Sequence, residues 1–157
     1  MTELDRIKQP IVEELSRYAQ LFDSVLTHEE DFMRRVLDYV RGRKGKMMRP
    51  ILVLLLAKEL GEIGEPTLRA AVALELLHTS SLIHDDVVDE SEERRGKASV
   101  RKVYDNKVAV LLGDYMLAQT LRQSALTGHL GIGDAVAGLG GTLAEGEILQ
   151  LSHVEQE

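Results

Sequence analysis

The stretch that decides the fold is TLRAAVALELLHTSSLIHDDVVD, residues 67–89. It is mostly apolar until it reaches Asp85, and this pattern predicts one long helix over residues 67–88. Three carboxylates, Asp85, Asp86 and Asp89, then fall within little more than one helical turn. Because positions i and i+4 share a helix face, Asp85 and Asp89 are expected to point the same way.

Helical periodicity continues on both sides of this segment. The run at residues 51–56 is apolar on all sides and is therefore predicted to be buried. Residues 107–127 predict another helix, residues 128–133 a loop, and the region from residue 134 a last helix. Near the N-terminus one amphipathic stripe is formed by Leu4, Ile7, Ile11, Leu15, Tyr18 and Phe22. Without convincing β alternation, the sequence predicts an all-α helical bundle, with residues 1–157 as a single all-α domain.

Composition narrows the class of protein. The 157 residues are 44% hydrophobic and 29% charged, as in an ordinary soluble globular protein. The net charge of −7, without a basic stripe, argues against a nucleic-acid partner. No cysteine is present, so disulfides and thiolate metal sites are excluded. The longest apolar run is too short to span a bilayer and the N-terminus lacks an apolar signal core, so we expect no transmembrane segment and a cytoplasmic location.

The aspartate cluster has two interpretations. Six acids lie between Asp85 and Glu93, so a solvated helix end is the simpler one. Against it, the aspartates directly follow Leu82 and Ile83 at the end of an apolar helix, and aspartate is a poorer helix former than glutamate. Hard divalent cations prefer carboxylate oxygens, and Mg²⁺ often bridges one or two carboxylates to substrate phosphates. We therefore predict Mg²⁺ binding by Asp85 and Asp89.

Two basic sites accompany the aspartates. Arg94 and Arg95 follow the cluster closely, and arginine holds phosphate anions through forked hydrogen bonds. Lys46 and Arg49 lie at a predicted helix start, where anions are favoured, although a basic loop on an acidic protein is the alternative. A metal site and paired arginines within an otherwise apolar stretch of sequence indicate a diphosphate site next to a region that binds an apolar tail.

The two histidines of the long predicted helix have different predicted roles. His78 lies one or two turns before the aspartates and is suited to donate to a diphosphate oxygen. His84 is six residues further on, does not share that face, and is expected to be a satisfied core histidine. The pair His84-Asp85 also resembles the histidine-aspartate motif of all-α metal phosphohydrolases, which would need further ligands on other helices.

Taken together, several stretches in order resemble the trans-type isoprenyl (polyprenyl) diphosphate synthases. Residues 45–50, GKMMRP, resemble the family's glycine-lysine-arginine-proline motif. Residues 75–89 resemble its first aspartate-rich motif, and residues 94–96, RRG, continue the match. LGDY at 112–115 and EGE at 145–147 with Gln150 also fit. The resemblance covers residues 45–150 and implies an isoprenoid-synthase bundle, here truncated.

The resemblance implies a role for each matching residue. It assigns metal binding to Asp85 and Asp89 and isopentenyl diphosphate binding to four residues, Lys46, Arg49, His78 and Arg95. It places the allylic prenyl diphosphate on Arg94, so that Asp85, Asp89 and Arg94 are the expected catalytic residues. The implied reaction adds isopentenyl diphosphate to an allylic prenyl diphosphate.

One departure from the family is large. The family carries a second aspartate-rich motif in a C-terminal half, whereas this sequence has no second DDxxD cluster. The chain therefore resembles an N-terminal half, and an expressed fragment, a truncated gene product and a small subunit are three origins that fit. With half of the metal ligands missing, the lone chain is expected to be inactive. We also expect a homodimer through residues 107–127, or association with a missing C-terminal half.

The resemblance also bears on product length. In the family the prenyl tail grows along the helix that leads to the first aspartate motif. Ser80 and Ser81 lie about one turn before Asp85 and are small, and Leu77 lies one turn further down and is only moderately bulky. We therefore expect a long-chain all-trans product. Two alternatives from other classes are a non-catalytic subunit that shapes a product pocket and a metal phosphohydrolase of the histidine-aspartate type.

Overall fold

The computed structural model describes residues 1–43 and 45–156, with side chains up to residue 154. Its helices are α1 (Glu3–Lys8), α2 (Val12–Val25), α3 (Asp31–Arg41), α4 (Met48–Leu60), α5 (Glu65–Val88), α6 (Val100–Val103), α7 (Asn106–Leu126) and α8 (Leu130–Gln156), and a 3₁₀ turn (Gln9–Ile11) joins α1 to α2. Two-residue strands β1 (Glu93–Arg94) and β2 (Lys97–Ala98) pair antiparallel between α5 and α6. The all-α prediction is therefore confirmed, with this hairpin as a small addition.

Helix α5 is the central element. Its N-cap is Gly64, whose N–H donates to the Thr67 hydroxyl at 3.2 Å, and Pro66 occupies the first turn, where its missing N–H costs nothing. It packs along α7 over most of its length and also contacts α2, α4 and α8. Its buried face includes Leu68, Val72 and Leu76, which join the main apolar core. The predicted helix over residues 67–88 is thus confirmed, and its apolar faces serve packing on several sides.

The structure corrects two details of the sequence interpretation. The 51–56 run is not buried as a whole, because Leu52 is 59% and Leu56 54% exposed while Ile51 and Leu54 lie in the core. The predicted loop at residues 128–133 is also wrong beyond its first two residues, since α8 begins at Leu130. Glycine is tolerated within α8 because the helix is long and packs on α5 and α7.

In the part of the chain that the structure describes, no helix combines the length and apolar character that crossing a membrane requires.

Candidate diphosphate and metal site

Two carboxylates lie at the C-terminal end of α5. The N–H of Asp89, which caps the helix, donates to the Asp85 carbonyl at 2.8 Å, so both residues follow helical geometry and lie on one face as predicted. Asp85 is half-buried and Asp89 is exposed. Burial raises the pKa of the Asp85 carboxyl, and the nearby charges of Glu147 on α8 and Asp89 raise it further. Negative charge is therefore concentrated here and a cation would relieve it.

The donor set fits a divalent cation held partly by substrate. Carboxylate oxygens are the ligands that Mg²⁺ prefers, and the ion commonly uses one or two of them together with substrate phosphates. Within the described ranges, no group of three or more histidine, aspartate or glutamate side chains is arranged to hold a metal by itself. Asp85 and Asp89 therefore fit a shared site completed by phosphate oxygens and not a closed cage.

The third aspartate of the cluster does something different. Asp86 is buried, and both of its carboxylate oxygens accept from the Arg94 guanidinium, with Nη2 at 2.7 Å and Nε at 3.1 Å. This hydrogen bonding raises the pKa of Arg94 above its ordinary value. A forked pair of this kind fixes a guanidinium in both position and plane. Arg94 is thus held in place by Asp86, a partnership that the sequence interpretation did not anticipate.

A cavity of about 180 Å³ opens beside these groups, between α5, the preceding helices and the hairpin. Tyr18, Phe22, Val40, Met47, Leu82 and Ile83 give it an apolar side. Its polar side carries five cationic side chains, two carboxylates and one imidazole, namely Arg43, Arg49, Arg94, Arg95, Lys97, Glu75, Asp86 and His78. The surplus of positive charge makes the cavity suited to an anion.

Two lining residues have unusual backbone conformations. Met47 has a φ of 58° and Arg95 a φ of 54°, both in the left-handed region that side chains rarely adopt. Such strain collects at functional sites. Gly45 lies against the Arg95 guanidinium, and a Cβ at this position would collide with it. Glycine here therefore lets Arg95 approach the start of α4.

The basic residues predicted at the start of α4 differ in their placement. Arg49 lines the cavity and forms an ion pair with Glu75 on α5, with Nε–Oε2 at 2.9 Å and Nη2–Oε1 at 3.3 Å. Lys46 is exposed and is not among the cavity's lining residues. Of the pair, only Arg49 is therefore brought into the cavity of this structure.

His78 lines the same cavity and is half-buried. Burial lowers its pKa, and the positive charges of Arg49, Arg95 and Arg94 lower it further against the opposing effect of Glu75. The imidazole is therefore neutral near pH 7. It keeps one N–H donor in this state.

The second histidine contacts another helix. His84 Nε2 lies 3.0 Å from the Val110 carbonyl and 3.4 Å from Asp114 Oδ1, both on α7. Gly113 makes room for the ring, since a Cβ there would collide with it. His84 is thus hydrogen-bonded as expected, but it is half-buried and does not lie in the core. The arrangement gives no support to the phosphohydrolase alternative, because this ring is occupied by α7.

The residues predicted to govern product length lie in two settings. Ser81 is half-buried and, four residues before Asp85, shares its helix face. Leu77 continues that face one turn earlier, where it packs with Ala73 on α5 and Val136 on α8. Ser80 is fully buried, with its hydroxyl donating to the Leu77 carbonyl at 2.8 Å. Ser81 is therefore partly exposed on the helix face of Asp85, whereas Ser80 is enclosed.

Comparison with known proteins places the chain in a family. The profile of the family described as polyprenyl synthetase matches residues 30–157, and the chain therefore belongs to the polyprenyl synthetase family. The octaprenyl diphosphate synthase of Escherichia coli K12 is 30% identical over 151 residues, which are 96% of this chain and 47% of that one. The chain thus spans about half the length of the curated relatives it matches.

Solved structures agree with this assignment. A polyprenyl synthase from Caulobacter crescentus CB15, complexed with calcium and isoprenyl diphosphate, superposes with a TM-score of 0.88 at 27% identity, covering 95% of this chain and 45% of that one. A geranylgeranyl pyrophosphate synthase from Bacteroides thetaiotaomicron is 44% identical with a TM-score of 0.76, covering 96% of this chain and 43% of that one. The all-α synthase bundle expected from the sequence is therefore the fold observed, and it matches slightly less than half of each of these structures.

Proposed function

We propose that this chain forms the isopentenyl-diphosphate-binding and first metal-binding part of a prenyltransferase that makes polyprenyl diphosphates. The observation that carries the proposal is the cavity, where five cations face two carboxylates, and both carboxylates are already paired with arginine. The remaining positive charge suits a diphosphate, and the apolar side suits a short hydrocarbon group. The complex of the Caulobacter polyprenyl synthase with calcium and isoprenyl diphosphate supports this choice of ligand.

Within this proposal each polar residue of the cavity has a binding role. Arg49 and Arg95 hold the diphosphate of isopentenyl diphosphate, and neutral His78 donates a hydrogen bond to it. Lys46, exposed at the start of α4, adds positive charge near the opening. Glu75 keeps the Arg49 guanidinium turned into the cavity. The substrate is thereby fixed through its charged end.

Arg94 binds the diphosphate of the second substrate, an allylic prenyl diphosphate, next to Asp85 and Asp89. Asp85 and Asp89 would hold Mg²⁺, which would supply positive charge that stabilises the diphosphate leaving group. Arg94, aligned by Asp86, donates to the same diphosphate as its negative charge increases. The allylic carbon–oxygen bond breaks with its electron pair on diphosphate. The isopentenyl double bond then attacks the allylic cation, and loss of one proton restores a double bond in the lengthened chain.

The face of α5 that bears Ser81 and Leu77 receives the growing tail. Small Ser81 leaves room next to Asp85, and Leu77 lies one turn further along. On this basis we propose a long-chain all-trans product, as the name of the E. coli octaprenyl relative also indicates. The geranylgeranyl synthase relative represents the opposing outcome, a four-unit product, and the product ladder of an active complex separates the two.

We further propose that the lone chain binds substrate without elongating it, because a second aspartate-rich cluster is absent from the sequence. Exposed apolar residues of α7, among them Leu111 and Leu121, provide the surface for association with a second copy or a C-terminal half. Light scattering at micromolar concentration tests the association, and a monodisperse monomer would contradict it.

Titration calorimetry with isopentenyl diphosphate tests the central proposal. The wild-type chain should bind, and Arg49→Gln should weaken binding about tenfold or more because a charge-assisted contact is lost. Arg122→Gln, an exposed charge on α7, is the matched control and should bind like the wild type. Absence of binding by the wild-type chain, or equal affinity for Arg49→Gln, would refute the proposed function.

A further inference from the structure

Two cationic residues of the cavity, Arg43 and Lys97, have been given no role by the sequence motifs. Lys97 Nζ donates to the Gly42 carbonyl at 3.1 Å. Arg43 follows the end of α3 and precedes α4, so it is distant in sequence from the aspartate motif. It is half-buried and lines the cavity together with Arg49 and Arg95. The turn that follows α3 therefore contributes a charged group to a cavity whose other charged residues come from α4, α5 and the hairpin region.

The position of Arg43 is defined by an aromatic ring. Its Cζ lies 5.6 Å from the centroid of the Tyr39 ring, within the range of a cation–π contact. The Tyr39 ring meets Tyr104 edge to face, with centroids 6.1 Å apart, and its hydroxyl donates to the Ala98 carbonyl on the hairpin. Tyr39 thus links α3 to the hairpin that carries Arg94 and Arg95, and it holds Arg43 at the same time.

Charge pairing in the cavity leaves Arg43 available. Glu75 is paired with Arg49 and Asp86 with Arg94, so both lining carboxylates are engaged. Among the side chains of residues 1–43 and 45–154, no carboxylate forms an ion pair with Arg43 or Arg95. A guanidinium that lines a cavity without a counterion, on a preformed aromatic support, is arranged for an anionic ligand.

We propose that Arg43 is a further diphosphate-binding residue of this cavity and that Tyr39 is the positioning residue that holds it there. The inference rests on the proposed function, since it concerns the same ligand. It extends the binding set to the end of α3, a segment outside the motifs that led to the family resemblance. Arg43 binds the diphosphate from the end of α3, and Tyr39 limits the entropy lost when it does so.

The test is calorimetry with sodium pyrophosphate and with isopentenyl diphosphate, in EDTA so that only the cavity contributes. Arg43→Gln should weaken the binding of both ligands about tenfold. Arg43→Lys should recover part of the lost affinity, because it restores the positive charge without the forked hydrogen bonds of a guanidinium. The matched control is Arg35→Gln, which removes a guanidinium that lies 5.9 Å from the Phe32 ring on the same helix but does not line the cavity. This control should bind like the wild type.

The outcomes separate the inference from the proposed function. Wild-type affinity in Arg43→Gln, with weakened binding in Arg49→Gln, would overturn the role of Arg43 and leave the proposed function standing. Failure of the wild-type chain to bind either ligand would overturn both. For Tyr39, Tyr39→Leu should lose affinity while Tyr39→Phe, which keeps the ring, should retain most of it; equal affinity in the two variants would overturn its positioning role. A thermal melt without ligand, unchanged for Arg43→Gln, checks folding.

Discussion

The Asp86–Arg94 pair allows a quantitative prediction because its partners differ in exposure. The Asp86 side chain is 3% exposed, whereas that of Arg94 is 29% exposed. Arg94→Ala leaves a buried carboxylate without a partner, which costs about 3–5 kcal/mol. Asp86→Ala leaves a guanidinium that can turn to water, so its cost should be smaller, about 1–2 kcal/mol. The larger loss should therefore come from removing the more exposed residue.

A double-mutant cycle measures this asymmetry. Urea unfolding followed by helix circular dichroism gives the free energy of unfolding of the wild type, both single variants and the double variant. The coupling energy should be about 1.5–3 kcal/mol, as for a hydrogen bond between charged groups. Arg94→Ala should also lower the Tm by about 10 °C, since 1 kcal/mol corresponds to roughly 2–4 °C at this size.

Arg95→Ala is the control, since Arg95 follows Arg94 on the same hairpin but is exposed. It should change the free energy of unfolding by about 0.5 kcal/mol or less. If Arg94→Ala destabilised the chain no more than Arg95→Ala, the buried pair would not hold the hairpin and the reasoning would be refuted. Arg94→Lys, which keeps the charge without the fork, covers the case in which Arg94→Ala fails to fold and should lie between the two.

Three further changes follow from the structure. Asp85→Asn should raise the free energy of unfolding at pH 7 without metal, because the raised pKa of Asp85 means that folding disfavours its ionised form. The gain should be only about 0.5 kcal/mol, since solvent screens the charge of this half-buried group. This gain should be lost as the pH falls through the ordinary pKa of 3.8, because below it the carboxyl is protonated in both the folded and the unfolded state, and an equal gain at pH 3 and pH 7 in thermal melts would contradict it. Gly113→Ala should lower the Tm by about 4–8 °C, because the added Cβ would collide with the His84 ring. The control is Gly141→Ala on α8, which has open space around it and should leave the Tm unchanged or higher. Equal melting curves for the two variants would exclude the collision. Ser81→Phe in an elongating complex should shorten the product, and an unchanged product ladder by reversed-phase chromatography would remove Ser81 from the path of the tail.

Much of the fold was readable from periodicity. The long helix ending at the aspartates and the all-α class both follow from spacings of three and four, because a helix must place its apolar side chains on the faces that pack. Periodicity does not say what lies opposite each face. For this reason Leu52 and Leu56 were wrongly expected to be buried, and the helical start of α8 at Leu130 was expected to be a loop.

The candidate site was readable in part. The shared face of Asp85 and Asp89 follows from their spacing alone, and arginines at positions 49 and 95 predict an anionic ligand. The position of Ser80 was not readable, since adjacent helix positions differ by about 100° and only packing decides which of two serines is enclosed.

By itself, the sequence determined which residue types were available and which of them share a helix face, since both depend only on local geometry. Tertiary structure alone decided which charges neutralise each other. Asp86 pairs with Arg94 and Glu75 with Arg49 because the hairpin and α4 pack against α5, and these pairings leave other cations of the cavity for a ligand. It also brought the end of α3, with Arg43, to the same cavity. Ion pairs form between groups that folding brings within a few ångströms, and no spacing along the chain specifies those distances.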